Sequence, residues 1–386
     1  MSAGTFLHSA VYAACRIQGD PDKQMRDRPH DASTLGIPSD DLQRCHDLLG
    51  MESWRALAGR KIFMTGGTGF VGKWMLATLL DADRILGLNC DVTVLSRDPS
   101  SFRNAWPAIS DRVKWITGDV RDFALPRDRF DAVIHAATDV VANASPAAIF
   151  SQCLDGTRRV VALSRECGAM TLLLVSSGAV YGPLPMGMTH VPETHCGGPD
   201  PLQPTSAYAE GKRVAEWLAS STTTEDLGVK VARVFALVGP HLPLDKHFAI
   251  GNFLRAAMAD EEIVIQGDGT PYRSYLYAAD MAAWLWAVLL RGQSRRAYNV
   301  GSQEGLSIAA LAERVSRVLG RESRIRVLKH AEANTPPVHY VPDTTRTRGE
   351  LQLPAELPLD EAIERTALWH GAISPVIAPS RLFPTR

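Results

Sequence analysis

Several features that would place a chain in other classes are absent here. The 386 residues contain six cysteines but no C-x-x-C pair and no histidine at metal-ligand spacing, so neither disulfides nor a metal site is expected. No apolar run is long enough to span a bilayer, and the N-terminus lacks the pattern of a signal peptide. A formal net charge of −1 leaves no basic surface for nucleic acid or membrane. These absences predict a cytoplasmic protein without metal, nucleic-acid or membrane partners.

The chain divides into four parts. Residues 1–38 are polar and irregular and are predicted to be a flexible N-terminal extension. Residues 39–235 alternate short apolar strands, for example 91–95 and 171–175, with helical patterns, which predicts an α/β fold with a doubly wound parallel sheet. Residues 236–370 are predicted to form mainly a smaller domain, with a strand near 297–300 that returns to the sheet, and residues 371–386 form a tail.

A glycine-rich turn follows the first predicted strand. Gly66, Gly69 and Gly72 lie three residues apart, and an amphipathic helix begins with Phe70 and Val71. Glycines allow a tight turn and let the backbone N–H groups of a helix N-terminus approach a pyrophosphate. An ordinary strand–helix turn is the alternative interpretation, but the repeated β/α units favour a dinucleotide site.

Tyr208 and Lys212 lie four residues apart on one face of a predicted helix. The ammonium favours the phenolate and is expected to lower the pKa of Tyr208. A tyrosine activated in this way is a usable general acid or base near neutral pH. Because such a pair also arises by chance, its interpretation depends on the other motifs.

Six motifs occur in order along the chain: TGGTGFVG at 65–72, GDV at 118–120, HAAT at 135–138, SSGAVYG at 176–182, YxxxK at 208–212 and RSYLY at 273–277. With them the chain resembles the extended short-chain dehydrogenase/reductases, the nucleotide-sugar epimerase/dehydratase family typified by the UDP-galactose 4-epimerases. The resemblance covers roughly residues 59–370. It implies a Rossmann-like NAD(P)-binding domain over 39–235, a smaller C-terminal substrate-binding domain, a nucleotide-sugar substrate and a homodimer.

The resemblance also assigns roles to individual residues. Ser177, Tyr208 and Lys212 would be catalytic, with Ser177 hydrogen-bonded to the reacting sugar hydroxyl. Asn252 and Arg273 would bind the nucleotide diphosphate of the substrate, for which a planar guanidinium is well suited. The cofactor would be bound by Gly66, Gly69, Phe70, Val71, Gly72, Ser96, Arg97, Asp119, Val120, His135, Ala136 and Ala137.

Some of these residues have structural interpretations as well. Ser177 could cap a turn, Asp119 could be a turn residue, and Arg273 could be a solvated loop cation. For His135, a buried and hydrogen-bonded histidine is favoured over a catalytic one.

The end of the second predicted strand bears on the choice of cofactor. Ser96, Arg97 and Asp98 follow Leu95, whereas relatives that prefer NAD usually end this strand with an acidic residue. A serine and a guanidinium suit the 2′-phosphate of NADP. We therefore predict NAD(P) as cofactor, with NADP somewhat favoured by Arg97. Alternatively, Arg97 is only a surface charge and Asp98 contacts the ribose.

Departures from the family pattern limit the reaction. Gly178 and Ala179 stand where 4,6-dehydratases have an Asp-Glu pair and where UDP-glucuronate decarboxylases have a glutamate at the second position. The reaction that the chain can still perform without these acidic residues is hydride transfer at a carbinol. We predict an NAD(P)-dependent nucleotide-sugar epimerase acting at C4 through a transient 4-keto intermediate; the alternative is an NADPH-dependent nucleotide-4-keto-sugar reductase. Dehydratase or decarboxylase activity, or a non-catalytic NADP-binding regulator, is less favoured.

The substrate side departs from the family as well. Cys153 and Ala236 stand where many relatives carry asparagine. The second diphosphate arginine, expected ahead of Tyr340, is absent from residues 331–339. The binding of the substrate is therefore expected to differ in detail.

Overall fold

A parallel sheet of seven strands lies at the centre of the protein, and the computed structural model describes residues 35–138, 144–245, 248–321, 324–332 and 335–372. The strands are β1 (Lys61–Thr65), β2 (Asp91–Ser96), β3 (Lys114–Thr117), β4 (Ala132–His135), β5 (Thr171–Ser177), β6 (Gly228–Val234) and β11 (Arg296–Val300). Their order across the sheet is β3-β2-β1-β4-β5-β6-β11. This is the Rossmann strand order 3-2-1-4-5-6 with β11 added at one edge. The predicted doubly wound parallel sheet is confirmed.

The central strands are apolar on both faces. In β1, Ile62, Phe63 and Met64 are fully buried, as expected for a parallel strand covered by helices on each side. The strand β5 continues beyond its predicted end at residue 175, because its backbone pairs with β6 as far as Ser177 opposite Val234. The polar end of β5 therefore belongs to the rigid sheet.

Helices cover both faces of this sheet. The helix α9 is apolar around most of its circumference, and its residues from Ala278 to Leu289 are all buried. A helix with this pattern is expected in the interior rather than at the surface. The helices are α1 (Ser39–Leu49), α2 (Met51–Arg55), α3 (Phe70–Leu86), α4 (Pro99–Ala105), α5 (Pro107–Ser110), α6 (Pro146–Glu166), α7 (Ala207–Ser221), α8 (Ala249–Met258), α9 (Ala278–Arg291), α10 (Ile308–Val318), α11 (Thr345–Glu350) and α12 (Leu359–Trp369).

The ordered N-terminal part begins before residue 39. Leu35 and Ile37, within the range predicted as a flexible extension, are buried in the main core, whereas residues 1–34 lie outside the described residues. The following helix α1 is fixed by Asp41, whose buried carboxylate accepts a hydrogen bond from Tyr277 at 2.6 Å and pairs with Arg365 at 2.7 Å. The segment before the glycine loop is therefore integrated into the fold.

The C-terminal part alternates between the main sheet and smaller sheets. Its short strands are β7 (Leu237–Val238), β8 (Ile263–Ile265), β9 (Tyr272–Arg273), β10 (Leu276–Tyr277), β12 (Leu306–Ser307), β13 (Ile325–Val327) and β14 (His339–Tyr340). They pair as β10 with β7, β9 with both β12 and β14, and β13 with β8. The return to the main body includes the buried helix α9 as well as the predicted strand at 297–300. Of the predicted tail 371–386, residues 371 and 372 are described.

Candidate active site

A cavity of about 420 Å³ lies at the carboxyl ends of β1, β2 and β4. The strand β1 lies between β2 and β4, and the strand order reverses there, which is where ligands bind in open α/β sheets. Eight of the residues assigned to the cofactor line this cavity: Gly66, Gly69, Ser96, Arg97, Asp119, Val120, Ala136 and Ala137. The sequence therefore located the cavity through its motifs.

Two of the glycines are required by close packing of the backbone. Gly66 has a φ of 75°, and a Cβ there would lie 2.5 Å from the carbonyl carbon of Ala136. A Cβ on Gly72 would lie 2.2 Å from the carbonyl oxygen of Gly66. The first helical turn of α3 therefore packs directly on the loop after β1. This leaves a cradle of backbone against the cavity that suits a pyrophosphate.

Four residues assigned to the cofactor are not among those lining the cavity. Gly72 serves the packing just described, and Phe70 and Val71 pack against the main core. His135 is buried, with Nδ1 2.8 Å from the hydroxyl of Thr65 and Nε2 3.1 Å from that of Thr157. Burial, with a contribution from nearby Lys212, lowers the pKa of His135 to about 3. These residues therefore serve the packing of the fold next to the cavity and do not line it.

Charged and polar side chains surround the far end of the cavity. Asp119 forms a two-pronged ion pair with Arg121, at 2.8 and 3.0 Å. The hydrogen bond from Arg121 holds the pKa of Asp119 below its usual value, and the positive charge of Arg97 acts in the same direction. Ser96, at the end of β2, is buried and accepts a hydrogen bond from the backbone N–H of Asp98.

The residues predicted to be catalytic meet beside the same sheet edge. Ser177 is the last residue of β5, and Tyr208 and Lys212 lie one turn apart on α7. The ammonium of Lys212 is 5.9 Å from the centroid of the Tyr208 ring and donates to the carbonyl of Val175 at 2.8 Å. Ser177 also caps the following 3₁₀ turn, since its hydroxyl accepts the N–H of Ala179 at 3.2 Å. Its turn-capping and catalytic interpretations are thus compatible.

The electrostatics of this group differ from the sequence prediction. Burial raises the pKa of Tyr208 well above its usual value, although a hydrogen bond with Ser177 acts in the opposite direction. Burial also lowers the pKa of Lys212 to about 8. The prediction that Lys212 lowers the pKa of Tyr208 is wrong here, because the loss of solvent around the phenol dominates.

Tyr340 is a member of this group that the sequence did not single out. Its hydroxyl oxygen is 3.5 Å from that of Ser177. Its ring packs against Phe235, and the guanidinium of Arg273 lies 5.2 Å from the ring centroid. The pairing of β14 with β9 sets Tyr340 directly opposite Arg273. The available signal is the position of Tyr340 directly after the segment 331–339, where the family resemblance expects a substrate-binding arginine.

The two residues predicted to bind the substrate lie in different places. Asn252, on α8, lines a second cavity of about 530 Å³ together with Arg255 and Gln266. Arg273 is on β9, where it contacts Tyr340 and donates to the carbonyl of Tyr272 at 2.8 Å, and it is not among the residues lining that cavity. Arg273 is therefore linked to Ser177 through Tyr340.

Membrane-spanning helices and metal-binding clusters are both absent from the described residues. None of their helices combines the length and apolar content needed to cross a membrane. Within the same part of the chain, no cluster of three or more histidine, cysteine or acidic side chains is arranged to hold a metal ion.

Comparison with known proteins decides the family. The sequence profile described as the NAD dependent epimerase/dehydratase family matches residues 62–301. The chain belongs to this family. It is therefore an enzyme of a family named for its NAD cofactor. The first cavity is lined by the glycine loop and by polar side chains, which suit the pyrophosphate and the ribose of such a dinucleotide.

Relatives at the sequence level share one activity in their names. The UDP-glucuronic acid decarboxylase 5 of Arabidopsis thaliana is 26% identical over 317 residues, which cover 78% of this chain and 87% of that protein. The UDP-glucuronic acid decarboxylase 1 of the same plant is 28% identical over 315 residues, covering 80% of this chain and 69% of that protein.

Similar solved structures carry other activities in their names. A UDP-glucose 4-epimerase from Thermotoga maritima with UDP-glucose matches with a TM-score of 0.65 and 21% identity, covering 80% of this chain and 98% of that one. A dTDP-glucose 4,6-dehydratase from Streptomyces venezuelae with NAD bound matches with a TM-score of 0.66 and 23% identity, covering 80% and 96%. These likenesses establish the fold, and the reaction has to be argued from the site.

Proposed function

We propose that this protein is a nucleotide-sugar epimerase that inverts C4 through a transient 4-keto sugar. The observation that carries the proposal is the group formed by Ser177, Tyr208 and Lys212 beside the dinucleotide cavity. The side chains at the reaction centre, Ser177, Tyr208, Lys212 and Tyr340, include no carboxylic acid, and Gly178 and Ala179 stand where the family resemblance expects the acidic pair of the dehydratases. The group can therefore move a proton to and from one hydroxyl, while it offers no acid–base pair for elimination.

Each residue has a defined task in this reaction. A nicotinamide dinucleotide, when bound, supplies the acceptor and donor of hydride, which no side chain can provide. Tyr208 exchanges the proton of the C4 hydroxyl, and Ser177 fixes the oxygen of that hydroxyl by a hydrogen bond. Lys212, anchored on the carbonyl of Val175, orients this face of α7. Hydride that leaves C4 returns to the opposite face, so nothing is consumed.

The second cavity and the names of the relatives support a nucleotide sugar as the substrate class. Proteins similar to this chain are named for UDP-glucuronic acid, UDP-glucose and dTDP-glucose, which are nucleoside diphosphates linked to a sugar. We propose that Arg273 binds the diphosphate, because a guanidinium offers paired donors to phosphate oxygens. The cavity lined by Asn252 is of a size to receive the nucleoside.

The decarboxylation named for the sequence relatives requires separate consideration. In the place of the glutamate of those enzymes this chain has Ala179, whose N–H is bonded to Ser177. A methyl group cannot take part in proton transfer. We therefore favour epimerisation over decarboxylation in spite of these names.

A 4-keto-sugar reductase is the second candidate, and one observation favours it. Because burial raises the pKa of Tyr208, the phenol favours its protonated form, which can donate a proton to a ketone oxygen. Reduction needs this step and one hydride from NADPH, after which the oxidised cofactor must leave. Arg97 at the cofactor cavity supports the use of NADP(H) in either reaction.

The decisive experiment combines copurified ligands with turnover. Native mass spectrometry of the purified protein would identify a retained dinucleotide and sugar nucleotide. The protein is then incubated with UDP-glucose, UDP-galactose, UDP-glucuronic acid and dTDP-glucose, with and without NADPH, and with Tyr208→Phe as control. Interconversion of C4 epimers without added NADPH is the expected result. Stoichiometric NADPH oxidation would establish the reductase, release of CO₂ the decarboxylase, and no turnover at all a non-catalytic regulator.

We also propose a homodimer formed through α6 and α7. The two helices pack against each other, and Trp217 on α7 is 68% exposed, an apolar surface that a second copy would cover. Sedimentation of the protein and of Trp217→Glu tests this. A dimer that becomes a monomer in the variant is expected, and a monomeric parent would contradict the proposal.

A further inference from the structure

Two cations line the end of the first cavity that is formed by β2 and the start of α3. Arg97 follows β2 directly, and Lys73 projects from the first turns of α3. Ser96, Ser101 and Trp106 line the same end. The ammonium of Lys73 is 5.0 Å from the centroid of the Trp106 ring, close enough for the attraction between a cation and an aromatic face. The side chain of Lys73 is thus held at the wall of the cavity.

Lys73 differs from the neighbouring cations in its partners. Arg121 is paired with the carboxylate of Asp119, whereas no ion pair within the described residues includes Lys73. Its side chain is partly buried, and burial alone lowers its pKa. A partly desolvated ammonium without an anion is unfavourable. A ligand with a negative charge at this place would relieve the penalty.

An acidic residue after β2 is engaged in the fold. Asp98 also lines the cavity, but its carboxylate accepts the N–H of Ser101 at 2.9 Å and so caps α4. Its own N–H donates to the hydroxyl of Ser96 at 3.2 Å. The last residue of β2, where a carboxylate would repel a 2′-phosphate, is Ser96. Its hydroxyl accepts the N–H of Asp98 and can donate its own hydrogen to a phosphate oxygen.

We propose that Lys73 is a second ligand, beside Arg97, for the 2′-phosphate of NADP(H), and that the two cations together select this cofactor over NAD(H). The inference rests on the dinucleotide part of the proposed function and is independent of the sugar. It assigns to Lys73 a binding role that the glycine motif alone does not contain, because the motif concerns the pyrophosphate.

The test measures cofactor affinity in the absence of any sugar. Dissociation constants for NADPH and NADH are determined by calorimetry for the parent protein, Lys73→Gln, Lys73→Arg and Arg97→Gln. Inhibition of NADPH binding by 2′,5′-ADP and by 5′-AMP isolates the 2′-phosphate. Arg103→Gln is the matched control, because Arg103 is an exposed cation on α4 outside the cavity. Thermal unfolding verifies that each variant is folded.

The expected pattern is selective for the phosphate. Lys73→Gln should weaken the binding of NADPH and of 2′,5′-ADP by about tenfold, the effect of one lost charge-assisted hydrogen bond. The affinities for NADH and 5′-AMP should change by less than about twofold. Lys73→Arg should retain most of the preference, and Arg103→Gln all of it.

Other outcomes separate this inference from the proposed function. An equal loss for NADPH and NADH would overturn it, since Lys73 would then act on the pyrophosphate or the fold, and so would a parent protein that prefers NADH. A selective loss in a protein that turns over no nucleotide sugar would support the inference and reject the proposed reaction. A parent that binds neither cofactor would reject both.

Discussion

The two ends of the candidate active site, the reaction centre and the cofactor cavity, satisfy their charged groups in different ways. At the reaction centre, Lys212 is buried and donates to a backbone carbonyl, and the hydroxyls of Ser177 and Tyr340 lie beside each other. At the opposite end, the ammonium of Lys73 lies over the aromatic ring of Trp106, and the ion pair of Asp119 with Arg121 is partly exposed. The first end completes its contacts within the chain, whereas the second offers charge to a ligand.

This difference predicts that substitutions at the two ends affect different measured quantities. At the reaction centre, a change should affect turnover or folding and leave cofactor affinity almost unaltered. At the other end, a change should affect cofactor affinity and leave turnover at saturating cofactor almost unaltered. The predictions below test this division in order of decreasing effect.

The largest effect is expected for Tyr208→Phe, which removes the proton donor and acceptor while keeping the ring. Turnover should fall by about 10³-fold, within the range of general acid–base catalysis. The dissociation constant for NADPH should stay within about twofold, because the phenol is not a phosphate ligand. The measurements are initial rates under saturating substrate and calorimetric titration of the cofactor.

Tyr272→Phe is the matched control for this prediction. Tyr272 is the residue before Arg273, and its ring stacks on His339, so the variant removes a hydroxyl in the same part of the protein without touching Ser177. It should keep most of the activity. A Tyr208→Phe protein with more than about a tenth of parental turnover would move the proton donor to another residue, with Tyr340 the first to test.

The next effect concerns stability, through Lys212→Met. The pKa of Lys212 is about 8 in the folded protein, whereas an unfolded chain has a value of about 10.4. Below pH 8 both states carry the proton, and the folded protein bears the full penalty of burying the charge. As pH rises from 8 to 10.4 the folded protein gives up the proton first, so the penalty disappears.

Lys212→Met should therefore unfold at a higher temperature than the parent at pH 7, with a gain that shrinks toward pH 10. The upper limit of the gain is about 3 kcal/mol, from the difference in pKa. Lys230→Met is the control, because burial also lowers the pKa of Lys230 to about 8 and its ammonium likewise donates to a backbone carbonyl. Both variants should gain stability, and only Lys212→Met should lose activity. A gain that grows with pH would contradict the linkage.

The comparison of these ends also explains which parts of the site the sequence could predict. The glycine loop and the residues after β2, β3 and β4 follow regular strands, and the topology brings strand ends together. For this reason Gly66, Arg97, Asp119 and Ala136 line one cavity, as their motifs predict. The residues proposed to be catalytic come together for the same reason, at the end of β5 and on one face of α7.

The remainder depends on tertiary packing that no local pattern contains. His135 sits within a motif, but hydrogen bonds on both ring nitrogens withdraw it from the cavity. The pKa of Tyr208 was predicted from one neighbouring charge, whereas burial by the whole fold reverses its direction. Tyr340 reaches Ser177 across 163 positions of sequence, through the pairing of two short strands that carry little pattern.

A smaller effect is expected for Tyr340→Phe, which removes the hydroxyl 3.5 Å from that of Ser177. If Tyr340 helps to orient the serine toward the sugar oxygen, turnover should fall by about tenfold, the value of one hydrogen bond to a reacting group. The affinity for NADPH should be unchanged, as for Tyr208→Phe. Rates are measured as kcat and KM separately, since a loss only in KM would assign Tyr340 to substrate binding instead of positioning.

The smallest effect is expected for Asp119→Asn in the cofactor cavity. Because the ion pair of Asp119 with Arg121 is partly exposed to solvent, its loss should weaken cofactor binding by only about two- to fivefold. The affinities for NADPH and NADH should fall by the same factor, since the family resemblance assigns Asp119 to the adenine, which is common to both cofactors. The kcat at saturating cofactor should not change. Asp122→Asn, an exposed neighbour, is the control and should have no effect. The charge of Arg97 contributes to the lowered pKa of Asp119. A change in the ratio of the two affinities would therefore show that Asp119 acts on the 2′-phosphate through Arg97. The selection of NADP could then not be ascribed to the cations alone.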